Sequence, residues 1–85
     1  MNSFSLTGIL KQRVDERYRD LEYDSPFSNE DLKDVRHIKV VYWTKQDENR
    51  LTTLKLGTRV LIHGHLEEHE IFGTILLAEE LEVIG

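Results

Sequence analysis

The chain has 85 residues, no cysteine, and 16 acidic against 11 basic side chains, for a formal charge of −5. That length makes one small domain, residues 1–85, and the missing thiols exclude disulfides and thiolate metal sites. The acidic balance excludes bulk attraction to nucleic acid unless a local basic stripe supplies it.

A chain this size buries only about 60–65% of the surface its unfolded form exposes, so it must pack well, close into a barrel or pair with another copy. No apolar run approaches the ~20 residues that span a bilayer. Met1-Asn2-Ser3-Phe4 lacks the basic start and apolar core of a signal peptide, so a soluble, cytoplasmic protein with no membrane partner is expected.

The first element is 3-SFSLTGILKQRV-14, in which Phe4, Leu6, Gly8 and Leu10 alternate with Ser5, Thr7, Ile9 and Lys11. That period of two predicts a half-buried strand. Gly8 in its middle predicts a bulge, a tight bend or a close backbone approach. In 15-DERYRDLEYDSPF-27, Arg17, Arg19, Leu21 and Tyr23 alternate with Tyr18, Asp20 and Glu22, which predicts a short, mostly solvated strand; a helical turn competes. Asp24-Ser25-Pro26 breaks it, and a polar loop follows to Asp34.

The segment 35-VRHIKVVYW-43 is β-branched and aromatic throughout, as a central strand should be. Ile38, Val40 and Tyr42 form its core face, with His37, Lys39, Val41 and Trp43 outward. Residues 44–57 fit either a hairpin turned at Asp47-Glu48-Asn49 or a short helix over 46–55, with Leu51 and Leu54 inward and Gly57 as its stop; the helix is preferred. In 58–66, Val60, Ile62, Gly64 and Leu66 share one face. Residues 67–73 turn, and 74–84 return as a strand; Ile75, Leu77, Leu81 and Val83 share a face only if that strand stays regular, so a bulge is expected at Ala78-Glu79-Glu80. Five short strands are too few for a two-sheet sandwich, so the pattern predicts an all-β, five-stranded Greek-key barrel with a short helix between the third and fourth strands.

The order of these pieces resembles the bacterial single-stranded-DNA-binding proteins. Trp43-Thr44-Lys45 stands where that family has an aromatic-Gly-Lys strand end, and Leu54-Lys55-Leu56-Gly57 matches its Leu-Lys-x-Gly step. Val60-Leu61-Ile62-His63-Gly64-His65-Leu66 is similar to its Val-x-Val-x-Gly-x-Leu strand. Phe4–Leu10 resembles the first strand and 78–84 the closing one, so about two thirds of the chain is covered. Residues 15–34 have no good counterpart to the family's second strand, the link between the last two strands is shorter than the family's hairpin, and these 85 residues include no acidic, aromatic tail. The resemblance implies an OB-fold, a homo-oligomer (dimer or tetramer), a place in DNA replication, and no enzymatic activity. Its implied ligand is single-stranded nucleic acid, DNA more readily than RNA.

Single-strand binding needs aromatic faces for bases and cations for phosphates. Trp43, Lys39 and His37 share the outer face of the third strand. Arg17, Arg19 and Tyr23 are expected beside them on the second, and Lys11 and Arg13 on the first. The family implies that Trp43 stacks on bases and that Lys39, Arg17, Arg19 and Lys45 lie near phosphates. An outward Trp43 beside Val41 also fits a protein contact, so an assembly module with an acidic surface is the alternative. His63, His65 and His69, with Glu67 or Glu70, have spacing compatible with a metal, but on a solvated strand they read as incidental. Asp20 and Glu22 lack the apolar surroundings that would tune a carboxylate for acid–base work, and no cofactor is implied.

Overall fold

The computed structural model describes residues 3–24 and 35–85. Five strands, β1 (Phe4–Arg13), β2 (Tyr18–Asp24), β3 (Val35–Tyr42), β4 (Arg59–His69) and β5 (Gly73–Val83), close into a barrel in the order β1-β2-β3-β5-β4. All neighbours are antiparallel except β3 and β5, which run parallel. The helix α1 (Arg50–Thr53) lies between β3 and β4. The expected all-β Greek-key barrel is therefore the fold. No helix among the described residues is long and apolar enough to cross a membrane. The expected loop after Asp24 falls on residues 25–34, outside the described residues.

Alternation sends Leu10, Leu21, Val40, Val60, Ile62, Leu76, Ala78 and Leu81 into one core, with Leu6, Ile38, Tyr42 and Leu66 packed against it. Leu51 on α1 joins them, so the helix plugs one end of the barrel. Only one turn of helix forms, less than the 46–55 span expected, because it is organised by a cap rather than by propensity. Asn49 Oδ1 accepts from the amides of Leu51 and Thr52 at 2.9 and 3.1 Å, and the Thr52 hydroxyl accepts from the Asn49 amide at 2.9 Å. Gly8 is a close approach, as anticipated: a Cβ there would stand 2.5 Å from the Glu22 carbonyl oxygen on β2.

Two expectations change here. The second strand is not mostly solvated: fully buried Leu21 turns its face inward and takes Arg19 with it. The turn shrinks to residues 70–72, because β4 and β5 pair all the way to His69 and Gly73. The bulge in β5 lies where it was expected, since His63 faces Glu80 while Gly64 faces Ala78, leaving Glu79 as the extra residue. That extra residue swaps faces, so Leu76 and Ala78 point inward before it and Leu81 after it. Ile75 and Leu77 consequently share the outer register with Lys39 and Val41.

Candidate functional site

Residues directly opposite on neighbouring strands share a face, and the register pairs Asp20 with Lys39 and Glu22 with His37. The outer wall of β1, β2 and β3 is thus a ladder of alternating charge. Lys39 Nζ lies 3.2 Å from Asp20 Oδ1, and His37 Nδ1 donates to Asp20 Oδ2 at 2.9 Å. Glu22 Oε2 is 3.9 Å from His37 Nε2 and 3.3 Å from Lys11 Nζ. Three residues of the expected stripe, Lys11, His37 and Lys39, do come together here. The same wall brings in two carboxylates that offset them, which the alternation of β2 hides until its faces are known.

Further along β3 the wall becomes apolar. Val41 and Ile75 are buried although they lie on the outer register, and Tyr18 stands opposite Val41. The Tyr18 ring meets His69 edge-on at 5.4 Å and Phe72 at 5.1 Å, while His69 and Phe72 stack at 4.8 Å and 22°. This trio joins the start of β2 to the β4–β5 turn. Sequence reasoning missed Tyr18 and Phe72, and the signal available was their aromaticity at the two ends of short loops. A shallow depression of about 300 Å³ adjoins Tyr18, lined also by Asp15, Glu16 and Arg17.

Trp43 follows β3, with its amide bonded to the Ala78 carbonyl at 3.0 Å and its indole 62% exposed. The outward indole matches the expectation. Arg17 is held beside it by a 3.0 Å bond from Nη2 to the Thr44 carbonyl, and its Nε is buried with no partner. Lys45 is exposed in the same turn. Arg13 bonds Glu48 Oε1 at 3.1 Å and the Glu16 carbonyl, so it braces the β1–β2 turn.

Arg19 and Tyr23 must be corrected. Arg19 is only 3% exposed and points into the barrel end, not toward a phosphate. Its Nε and Nη2 donate to the Lys11 carbonyl at 3.0 and 2.8 Å, and Nη1 donates to the carbonyls of Leu51, at 3.0 Å, and Leu54. Burial, with the positive charge of Arg13 added, lowers its pKa from the ordinary arginine value. Tyr23 is two residues beyond Leu21, so it lies on the inner register of β2, away from Lys39, and lines a small depression with Thr7, Gly8 and Arg59.

The three histidines of β4 each have separate partners. His63 bonds the hydroxyls of Ser3 and Ser5 at 3.2 and 2.7 Å. His69 Nδ1 accepts the amides of Ile71 and Phe72 at 3.1 and 3.2 Å, which ties the turn. His65 meets Glu79 at 2.9 Å and Glu67 at 2.7 Å, one on each ring nitrogen. Those bonds, Glu79 first and then Glu67, raise its pKa above the ordinary histidine value. No group of three or more His, Cys, Asp or Glu placed to hold a metal ion occurs among the described residues.

No protein-family model matches the chain, and no curated protein matches it in sequence. Solved structures do match its fold. The small single-stranded DNA-binding protein of Streptomyces coelicolor has a TM-score of 0.72 at 12% identity, covering 99% of this chain and 95% of that one. The second single-stranded DNA-binding protein of Mycobacterium smegmatis gives 0.66 at 16% identity, with 96% and 87% covered. The single-stranded-DNA-binding domain of a Synechococcus protein gives 0.63 at 17%, with 96% and 94% covered. The barrel is therefore an OB-fold of the kind those proteins have, and identities this low make the likeness one of fold.

Proposed function

We propose that this chain is a non-enzymatic, cytoplasmic OB-fold module that binds single-stranded nucleic acid, DNA in preference to RNA, as a dimer or tetramer. The observation that supports it best is the exposed indole of Trp43, flanked by Arg17 and Lys45 at the end of the β2–β3 wall. OB barrels take oligonucleotides on the face of strands two and three, between the β1–β2 and β4–β5 loops. Tyr18 and Phe72 stand at those two loops, so aromatic surface lies along that path. Lys39, Lys11 and His37 extend it, with their carboxylates beside them. Arg19 has no part in it.

Trp43 is the single tryptophan, so its fluorescence reports directly on the site. Titration with an oligothymidine of about thirty nucleotides at low salt should quench it, and the binding should weaken as salt rises. Unchanged emission with no salt-dependent binding would count against the proposal. A protein-interaction module is the second reading, favoured by the offset cations of the ladder and by the exposure of Ile71 beside Phe72. Under that reading emission shifts with protein concentration and ignores the oligonucleotide.

A further inference from the structure

The cations of the β1–β2–β3 wall are already engaged. Asp20 holds Lys39 at 3.2 Å and His37 at 2.9 Å, and Glu22 holds Lys11 at 3.3 Å. The Asp20 pairs are not loosely solvated, because its side chain is only 14% exposed and is fixed by both partners at once, whereas the Glu22–Lys11 pair is more open. The register sets the Asp20 and His37 contacts: β2 places Asp20 opposite Lys39 and Glu22 opposite His37.

We propose that Asp20 and Glu22 are the selectivity residues of this wall, which make the protein prefer single strands over duplex DNA and other polyanions. The inference rests on the nucleic-acid reading above. Attraction to phosphate is independent of sequence and arises from free cations that release counterions when they bind. Here a phosphate meeting Lys39 or Lys11 must displace a carboxylate. The freed carboxylate then takes up a cation from solution, which cancels the release. What remains is stacking on Trp43 and the neighbouring aromatics, beside the two cations Arg17 and Lys45, and only an unstacked base has a face to offer. A duplex offers dense charge and no such face, so it gains little from this surface.

The test is fluorescence anisotropy of wild type and of Asp20→Asn/Glu22→Gln. Probes are a labelled oligothymidine of about thirty nucleotides, a labelled duplex of equal length, and heparin as competitor. Wild type should prefer the single strand by about a hundredfold or more and show a shallow dependence on salt. In the double variant duplex affinity should rise about tenfold, and the salt slope for the single strand should steepen by about 1.4, which is two phosphates at roughly 0.7 each. Glu80→Gln/Glu82→Gln on β5 makes the same change in net charge and should alter neither. If the double variant unfolds, Asp20→Asn alone should raise duplex affinity and Asp20→Asn/Lys39→Met should abolish the gain.

Equal duplex affinity in wild type and double variant would overturn the inference and leave single-strand binding standing. The same gain from Glu80→Gln/Glu82→Gln would overturn it too, by assigning the effect to net charge. Wild type that ignores oligothymidine altogether would remove the nucleic-acid reading and this inference together.

Discussion

Arg19 and Leu51 are joined across the end of the barrel, the guanidinium Nη1 of one donating to the carbonyl oxygen of the other at 3.0 Å. The same side chain serves the Leu54 carbonyl and, through Nε and Nη2, that of Lys11. It therefore ties β1, β2 and the C-terminal end of α1 with one planar fork, where carbonyl oxygens would otherwise be left over. Arg19→Met should cost about 2–4 kcal/mol, since the carbonyls lose a charged donor in a buried place. Arg19→Lys should recover only part, because an ammonium cannot span the same acceptors. Urea unfolding checks both, and a midpoint unchanged in Arg19→Met would show that α1 is held by Leu51 alone.

Asn49 and Thr52 cap each other, and a helix of one turn has little else to organise it. Asn49→Ala removes the acceptor of the Leu51 and Thr52 amides. A loss of about 1–2 kcal/mol is expected, at the upper end for a cap because the helix cannot lean on further turns. Asn49→Asp keeps the acceptor oxygen and should remain within about 0.5 kcal/mol of wild type by the same urea measurement.

The barrel was legible in the sequence because period-two alternation with β-branched residues is a strong signal. It placed Val40, Val60 and Ile62 inside, and these are fully buried. The bulge near Glu79 was legible too, since Ala78-Glu79-Glu80 interrupts the alternation. The face of β2 was not. Arginines and tyrosine alternating with carboxylates carry no hydrophobic bias except at Leu21, and only the closed barrel decides that Leu21, and so Arg19, turns inward. The charge ladder was hidden for the same reason, because Asp20 and Glu22 meet Lys39 and Lys11 only through cross-strand register. The aromatic trio depends on the approach of two loops far apart in sequence, which no local pattern records.

Gly64 faces the bulge, and a Cβ there would run into the Leu77 carbonyl oxygen. Backbone cannot yield as a flexible side chain does, so Gly64→Ala should open the β4–β5 ladder at the bulge. Roughly 2–4 kcal/mol of stability should go with it. Hydrogen exchange should show lost protection at Leu77 and Ala78 before the rest of the barrel. A variant with the wild-type unfolding midpoint would mean that the bulge has another packing.

His65 meets a carboxylate on each ring nitrogen, an arrangement that needs both to donate and so favours the imidazolium. Its pKa is raised in the folded protein, so its stabilising contribution is fully present below the unfolded value of about 6.5. That contribution fades as pH rises through the folded value. Unfolding midpoints of wild type and His65→Gln should differ most below about pH 6.5 and draw together as pH rises through the folded value. A gap that stays constant across that range would show that no proton is taken up at this site.

Trp43 is exposed and packs only loosely on Tyr42, with ring centroids 6.0 Å apart. Its removal should therefore separate binding from folding. Trp43→Ala should shift the unfolding midpoint by no more than the equivalent of about 0.5 kcal/mol. If the indole is a base platform, the same substitution weakens binding to oligothymidine by about 5- to 150-fold, the span of a single lost stack. Trp43→Phe keeps a smaller aromatic face and should lose less. Tyr18 behaves differently, because its ring also packs on His69 and Phe72, and Tyr18→Ala should lower both stability and affinity. Anisotropy with a labelled oligonucleotide, read beside urea unfolding, distinguishes the two. Unaltered affinity in Trp43→Ala would move the ligand, or the partner, to another face of the barrel.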